Sequence, residues 1–289
     1  MKKMVYMGLI LGALTAAGCA TVGSSGADFS YKVGQFEVYL LVEAERDGNA
    51  GILIGANEEI LSRYIPAAGF KHTANAYLIK AAGKNILIDT GTGAGDIIIE
   101  KVKSLGVKPE NVNAVIITHL HGDHFGSLQR DGNAVFPNAT VYLSEKELQY
   151  FTVTNVNENA VNALAPYKEK TVTFTPGELG SNALSEILPG ITPIAAYGHT
   201  PGHTIFQIQN GNKKLLIISD LLHVALVQFP IPEISATYDV DPAAAAKIRR
   251  QVLAYAAENK IPVAGMHIVN PGMGNVEVDG EGFKFIPLK

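Results

Sequence analysis

The segment that most constrains this chain is residues 118–126, with the sequence THLHGDHFG, which places three histidines and one aspartate within six positions. It directly follows residues 114–117, an apolar and β-branched run that predicts a buried strand. The polar groups therefore lie where a strand ends and a loop begins. An exposed loop whose histidines only form hydrogen bonds is the alternative interpretation, but this density of imidazoles behind a strand favours a metal site.

Two pairs of side chains in this segment can face two ions. Side chains at i and i+2 of an extended backbone point the same way, so His119 and His121 can converge on one ion. Gly122 then permits a bend that turns Asp123 and His124 towards a second ion beside the first. Imidazole nitrogen and carboxylate oxygen are ligands that borderline cations such as zinc bind readily.

The HxHxDH spacing of residues 119–124 resembles the signature of the metallo-β-lactamase-fold hydrolases. Further landmarks of that family follow in the same order, namely GHTPGH at 198–203, ISD at 218–220 and MH at 266–267. The resemblance covers residues 35–289. It implies an α+β fold, a four-layer αββα sandwich formed by one domain.

The resemblance also implies which side chains bind the ions. Each ion has three ligands of its own, and one aspartate bridges the two. The expected ligands are His119, His121 and His199 for the first ion, Asp123, His124 and His267 for the second, and Asp220 for the bridge. Asp123 and Asp220 are also the expected catalytic residues. Two divalent ions are expected as cofactors, with zinc as the first choice and iron, manganese and cobalt as alternatives.

Three further residues are expected to support the ligands, because metal-bound histidines usually need hydrogen-bonded partners. The resemblance makes Asp89 a carboxylate that orients the metal loop, although an ordinary turn aspartate is the alternative. His203 and His223 follow two expected ligands closely in sequence and are given supporting roles. His72 has no partner in the sequence and is assigned no role.

Asp220 narrows the expected substrate class. It ends an apolar strand-like run and could cap a turn, but its order after His199 favours the bridging role. In the β-lactamases of this fold the bridging position is typically not aspartate, whereas lactonases, glyoxalase-II-type thioesterases and organophosphate hydrolases carry aspartate there. Residues 220–230 and 136–139 resemble the branch of the methyl parathion hydrolase-like and N-acyl homoserine lactonase-like enzymes.

The expected function is a dinuclear metal-dependent hydrolase in which a hydroxide held by the ions attacks a lactone or an ester. Organophosphate triester hydrolysis and β-lactam hydrolysis are alternatives within the same chemistry. A non-catalytic metal-binding protein of the same fold is the alternative from another class, although the complete ligand set argues against it. Few residues follow His267, so a C-terminal substrate-binding domain like that of glyoxalase II is not expected.

The N-terminus predicts export. A positive start, a short apolar run and small residues predict a signal peptide over residues 1–19. The small residues before Cys19 resemble a bacterial lipoprotein processing site, although Ala16 stands where such sites usually carry leucine. Lipidation of Cys19 is therefore predicted, with ordinary cleavage nearby as the alternative. Residues 20–34 predict a flexible tether, and residues 35–289 form the expected hydrolase domain.

The charge of the chain limits its partners. The formal net charge is −4, and no cluster of lysine or arginine marks a nucleic-acid face, so no nucleic-acid partner is expected. The expected partners are a small-molecule substrate and, through the lipid on Cys19, a membrane. The expected location is the periplasm of a bacterium or its membrane. The oligomeric state is left open, and a dimer is compatible with the sequence.

Local patterns predict some of the surrounding structure. Residues 241–257 predict a helix that begins with an Asp-Pro pair. Ser144 with Glu147 three positions later predicts a capping box at another helix start. Residues 150–180 are expected to cover the active site by analogy with the family, and plain helical packing is the alternative.

Overall fold

The structure is a computed structural model that describes residues 27–289. Its strands are β1 (Phe29–Val33), β2 (Phe36–Asp47), β3 (Leu53–Ile54), β4 (Lys71–Ala81), β5 (Lys84–Ile88), β6 (Ala114–Ile116), β7 (Gln129–Arg130), β8 (Asn133–Ala134), β9 (Thr140–Ser144), β10 (Thr171–Phe174), β11 (Ile191–Ala195), β12 (Thr204–Asn210), β13 (Lys213–Ser219), β14 (Ser235–Ala236), β15 (Val263–Gly265), β16 (Met273–Asp279) and β17 (Gly282–Pro287). Its α-helices are α1 (Glu58–Tyr64), α2 (Ile97–Ser104), α3 (Gly122–Phe125), α4 (Glu145–Gln149), α5 (Glu158–Leu164), α6 (Ala225–Gln228) and α7 (Pro242–Asn259).

Two sheets pack face to face and carry helices on their outer sides. The first sheet has the strand order β1-β2-β4-β5-β6-β9-β10, and the second has the order β11-β12-β13-β15-β16-β17. Helices α2 and α5 pack on the outer face of the first sheet, and α7 packs on the outer face of the second. A third apolar cluster fills the space between the sheets. The predicted four-layer αββα sandwich of the α+β class is confirmed.

Strand β4 shows why the central strands are apolar at nearly every position. Tyr77 and Ile79 belong to the cluster between the sheets, whereas Ala76 and Leu78 belong to the cluster under the helices. Successive side chains of a strand point to opposite faces, and here both faces are covered. A continuous apolar run therefore replaces the alternation of apolar and polar residues that a half-exposed strand would show.

The loops that follow β5, β6, β13 and β15 meet at one edge of the sandwich. Strands β5 and β6 are parallel in the first sheet, and β13 and β15 are parallel in the second. Hydrogen bonds join the two sheets at this edge. The N–H of Thr204 donates to the carbonyl of Thr118 at 3.2 Å, and the hydroxyl of Ser219 lies 2.8 Å from that of Thr118. The predicted ligands follow the ends of strands that reach this edge.

Helix α7 begins where the sequence predicts. The side chain of Asp241 accepts a hydrogen bond from the N–H of Ala244 at 3.0 Å, and Pro242 occupies the first helical position. Proline is suited to that position because its missing N–H would have no partner inside the helix. The helix ends at Asn259, and Lys260 adopts a left-handed conformation directly after it.

The predicted tether is wrong at its C-terminal end. Residues Phe29–Val33 form β1, which pairs antiparallel with β2, so the folded domain begins before residue 35. Phe29 and Tyr31 pack against the cluster between the sheets, and Val33 is a buried member of it. This alternation of apolar residues was hidden by the glycine and serine content of the residues before it.

The signal peptide over residues 1–19, the lipidation of Cys19 and the first part of the tether lie outside the described residues and stay predictions. Within residues 27–289, no helix is long and apolar enough to cross a bilayer.

Candidate metal centre

All eight histidines of the chain gather at the edge where the two sheets meet. The ring centroid of each lies within 5.3 Å of the centroid of another histidine. Six of the eight are buried, namely His119, His124, His199, His203, His223 and His267. Histidines that served local packing would be spread over the fold, so this concentration indicates one shared site.

The first ligand set consists of His119, His121 and His199. The Nε2 atoms of His119 and His199 lie 3.1 Å apart, and His121 Nδ1 lies 3.1 Å from the first and 3.0 Å from the second. Three nitrogens that bind one zinc ion at about 2.0–2.1 Å in a tetrahedron are separated by about 3.3 Å. The three imidazoles therefore already converge as ligands of one ion do.

The second set consists of Asp123, His124, Asp220 and His267, whose ligand atoms all lie within 4.8 Å of one another. His267 Nε2 is 2.9 Å from Asp220 Oδ2, and His124 Nε2 is 3.3 Å from Asp220 Oδ1. Asp123 lies 3.5 Å from His124 Nε2 and keeps 35% of its side chain exposed. The second set is therefore open to solvent on the side of Asp123.

Asp220 contacts both sets. Its Oδ2 atom is 3.5 Å from His199 Nε2 and 3.7 Å from His119 Nε2, and the same oxygen faces His267 of the second set. Ser219, the last residue of β13, has a φ of +48°, so the chain turns sharply just before this carboxylate. One carboxylate thus lies between two groups of ligands.

In the second set, two buried atoms have no hydrogen-bond partner among the described residues, His124 Nε2 and Asp220 Oδ1. Buried polar atoms are nearly always paired, so an orphaned pair 3.3 Å apart needs an explanation. A divalent cation between the two atoms would satisfy both. Imidazole nitrogens and carboxylate oxygens are donors that zinc binds. The residues present therefore fit a divalent metal.

The structure places Asp89 beside His124. Its Oδ2 atom lies 2.7 Å from His124 Nδ1 and 2.7 Å from the hydroxyl of Thr118, and its Oδ1 accepts the N–H of Thr118 at 2.8 Å. Burial raises the pKa of Asp89, although His124 and Thr118 favour the ionised form. The contact fixes the His124 ring and leaves its Nε2 atom for the second set.

Two other ligand imidazoles are held through their Nδ1 atoms. His267 Nδ1 lies 2.8 Å from the carbonyl oxygen of Thr73, and His199 Nδ1 lies 2.9 Å from Asp239 Oδ1. Acceptors at these positions favour a proton on Nδ1, so the Nε2 lone pair points into the site.

His203 and His223 differ in what they contact. His203 Nδ1 lies 2.9 Å from the carbonyl oxygen of Ala196, and its Nε2 belongs to neither ligand set. His223 Nε2 lies 3.3 Å from Asp220 Oδ2 and forms a further possible ligand group with Asp220 and His199. The structure thus brings His199 rather than His203 into the first set, and it brings His223 directly against the bridging carboxylate.

The charges at the site are set by burial and by mutual contact. Burial would raise the pKa of Asp220, but the histidines around it, led by His124, hold that pKa well below its usual range. Burial lowers the pKa of His119 well below its ordinary value and that of His199 to about 3. Burial would also lower the pKa of His267, but Asp220 raises it to about 9. Metal binding needs an ionised carboxylate and neutral imidazoles, so a bound ion would displace the proton that Asp220 favours on His267.

Comparison with known proteins identifies the family. The sequence profile described as the Metallo-beta-lactamase superfamily matches residues 70–259, which is well over half of the chain. The chain belongs to this superfamily. The prediction made from the HxHxDH spacing is confirmed at this level.

Individual relatives match shorter parts of the chain. An uncharacterized Bacillus subtilis (strain 168) protein, YobT, is 32% identical over 144 residues, which are 47% of this chain and 58% of that protein. An N-acyl homoserine lactonase of Bacillus cereus is 27% identical over 124 residues, which are 43% of this chain and 44% of that enzyme. The chain therefore spans about half the length of the curated relatives it matches.

A solved structure covers almost the whole chain. The hydrolase AbOPH, described as in the beta lactamase superfamily, has a TM-score of 0.79 and 28% identity and covers 90% of this chain and 97% of its own. The predicted branch, which includes N-acyl homoserine lactonases, is thus represented among the relatives of this chain.

His72 is a site residue that the superfamily motifs do not mark. The sequence assigns it no role, but its ring stacks on His267 with centroids 4.6 Å apart and an angle of 20° between the planes. It lies on β4, far upstream of the motif, and residue type was its only signal. Asp239 was missed for the same reason, since it precedes α7 and belongs to no motif of the superfamily.

Glu147 does not form the capping box predicted with Ser144. The side chain of Ser144 caps no N–H group of α4, and Glu147 is fully buried. Glu147 accepts hydrogen bonds from the N–H of Leu120 at 2.8 Å, the hydroxyl of Thr200 at 2.7 Å and the N–H of Gly202 at 2.9 Å. Leu120 lies between two ligands of the first set, and Thr200 follows the third. Glu147 therefore joins the two loops that supply this set.

The segment 150–180 contributes less to the site than the family analogy predicts. Phe151 packs edge-on against His121, with ring centroids 5.8 Å apart. Helix α5, in the middle of the segment, packs into the apolar cluster on the first sheet. Plain packing accounts for that part of the segment.

The two histidines of the GHTPGH segment should differ in their effect on metal binding. His199→Ala removes a nitrogen of the first set, so the first ion should be lost almost completely. His203→Ala removes a neighbouring ring and should weaken binding by about 10–100-fold. Competition with a chelating dye, on protein whose folding is checked by circular dichroism, measures both. If His203→Ala loses metal as completely as His199→Ala, the assignment of His199 rather than His203 as the third ligand of the first set is wrong.

Glu147→Gln tests whether the buried carboxylate positions the first set of this superfamily member. The amide of glutamine replaces one accepting oxygen by an NH₂ donor. That donor would face the N–H of Leu120 or Gly202, so one of these hydrogen bonds is lost. Affinity for the first ion should fall by about 10–100-fold. Glu145→Gln on the same helix changes an exposed carboxylate and is the matched control. Equal metal affinity in the two variants would contradict the positioning role.

Proposed function

We propose that this protein is a hydrolase that acts on a lactone or an ester at a centre of two divalent ions, with zinc as the expected metal. The observation that carries the proposal is the carboxylate of Asp220, which lies between two complete ligand sets. A protein that had kept the fold for binding alone would have no need of a bridged pair of sets. A catalytic role is therefore favoured over a non-catalytic one.

The residues of the two sets have distinct roles in this proposal. When bound, the two ions supply an activated water and polarise a carbonyl oxygen, so no serine or cysteine nucleophile is needed. Asp220 contacts both sets and fixes their positions relative to each other. Asp123 is partly exposed, so the substrate approaches past it, and its carboxylate can accept the proton that the attacking water releases and pass it to the leaving oxygen.

A cavity of about 650 Å³ begins at the metal centre and supports a substrate with an apolar part. His223 and His267 are among the residues that line it. Apolar side chains dominate the rest, among them Leu226, Phe229, Ile268, Phe283 and Phe285. A volume of this size is typical of small-molecule sites. The cavity suits an acyl chain whose reactive carbonyl lies near the imidazoles.

The relatives support a lactone as the first substrate to test. The Bacillus cereus relative is an N-acyl homoserine lactonase by name. An N-acyl homoserine lactone joins a lactone ring to an acyl chain, and this combination matches an ion centre beside an apolar cavity.

A substrate panel tests the proposed reaction. Metal-replete protein should carry about two ions per chain by elemental analysis. Its kcat/KM should be highest for N-acyl homoserine lactones or aryl esters, compared with phosphotriesters and β-lactams, and Asp220→Asn should remove the activity. A higher kcat/KM for phosphotriesters or β-lactams would show that lactones and esters are the wrong substrate class. Two bound ions without any hydrolysis would favour a binding protein.

Leu226→Ser tests the acyl-chain assignment of the cavity. Leu226 lines the cavity and is 44% exposed, so its replacement should leave the fold intact. The kcat/KM for a long-chain acyl lactone should fall by about 10-fold, and that for a short-chain one should hardly change, because apolar contact is lost. Val278→Ser, at an exposed apolar position outside this cavity, is the control. Equal losses for both chain lengths would contradict the assignment.

A further inference from the structure

Helix α7 carries a fully buried guanidinium that the proposed reaction leaves unexplained. Arg249 is the largest of the fully buried side chains. A buried charge is costly unless it is paired and hydrogen-bonded. Its neighbour Arg250 instead keeps 41% of its side chain exposed and forms a surface ion pair with Glu233. The burial of Arg249 therefore requires a reason of its own.

The guanidinium donates four hydrogen bonds into the segment between β13 and α7. Nε donates to the carbonyl of Leu221, Nη1 donates to the carbonyls of Pro232 at 2.9 Å and Ile234 at 2.8 Å, and Nη2 donates to Asp239 Oδ2 at 3.4 Å. Helix α6 and strand β14 are the short elements of this segment. Arg249 thus contacts both ends of the segment, at Leu221 and at Asp239.

Two of these contacts lead to the metal centre. Asp239 Oδ1 lies 2.9 Å from His199 Nδ1, while Asp239 Oδ2 also accepts the N–H of Ala236 at 2.9 Å. Leu221 directly follows the bridging Asp220. A cation beside Asp239 favours the ionised carboxylate, which in turn holds the proton of His199 on Nδ1. His199 then presents Nε2 to the first ligand set.

We propose that Arg249 is a positioning residue for the first ion. It fixes Asp239, which in turn orients the imidazole of His199. The inference rests on the metal centre of the proposed function and is independent of the substrate.

Lysine at position 249 would keep the charge and lose the geometry. An ammonium group is a compact point charge, whereas the planar guanidinium reaches four acceptors at fixed angles. Arg249→Lys therefore separates the positioning role from simple charge balance. Asp239→Asn breaks the same path one step closer to the metal and keeps the three carbonyl contacts of Arg249.

Binding of Co²⁺ alone is the measurement, because its visible spectrum reports the ligand geometry. The variants are Arg249→Lys, Asp239→Asn, the double variant and the control Arg250→Lys. Each is prepared in the natural chain and in a His267→Ala background, which removes one ligand of the second set and leaves the first set intact. Urea unfolding of the metal-free proteins measures stability separately.

Arg249→Lys and Asp239→Asn should each weaken Co²⁺ binding to the first set by about 10–100-fold and alter its visible spectrum. The double variant should bind within about 3-fold of Asp239→Asn, because both changes act along one path. Arg250→Lys should bind within about 2-fold of the natural protein, since its ion pair is on the surface.

If Arg249→Lys unfolds at a lower urea concentration but binds Co²⁺ as tightly as the natural protein does, the inference is overturned. Arg249 would then only stabilise the fold. Additive losses in the double variant would overturn the path through Asp239. If Arg249→Lys does not fold, Asp239→Asn decides, and natural affinity in that variant overturns the inference. If the natural protein binds no Co²⁺, the assignment of a metal centre is wrong, and the proposed function fails with it.

Discussion

The carboxylate of Asp220 is almost wholly removed from water, and the surrounding site is arranged to compensate its charge. Its side chain is 3% exposed, and the nitrogens of five histidines lie within 3.7 Å of it. Neutral imidazoles compensate a buried charge poorly, and protonated ones would repel one another in so small a volume. Divalent cations remove this conflict, because they neutralise the carboxylate and use the imidazole lone pairs. The burial of this carboxylate thus favours metal binding, in addition to the presence of suitable ligands.

A neutral imidazole binds a cation well only if its ring is held in one orientation. Groups from the first sheet and from the segment before α7 hold the rings here. Asp89 at the end of β5 holds His124, the backbone of β4 at Thr73 holds His267, and Asp239 before α7 holds His199. These acceptors come from the first sheet and from the helix side of the second. The centre is therefore a product of the whole sandwich, and a single loop could not reproduce it. In the role proposed for Arg249, a helix residue would influence a bound ion through Asp239 without touching it.

The residues that were predicted from the sequence share one property, which is that their signal is local. The HxHxDH spacing, the strand before it and the Asp-Pro start of α7 are each read within a few positions. Glu147 bonds to groups 27, 53 and 55 residues away, and its local pattern fitted a helix cap equally well. Long-range hydrogen bonds leave no periodic trace in a sequence, so Asp239 and Arg249 were invisible as well. The predicted tether fails at residues 29–33, because the glycine and serine content of the preceding residues masks the alternation of apolar residues in β1.

In the proposed hydrolase, the metal centre and the cavity have separate tasks. Such a centre suits many electrophiles, because bound ions would contact only the water and the reacting oxygen and leave the rest of the substrate unspecified. Discrimination must then come from the cavity walls, which are built by α6, β17 and the loop after β15. Apart from His267 of the MH motif, the residues that line the cavity lie outside the superfamily motifs, so members of one superfamily can share the motifs and differ in substrate. In the proposed hydrolase, the substrate would therefore be decided by side chains such as Leu226 and Phe285, which the ligand-bearing motifs do not constrain.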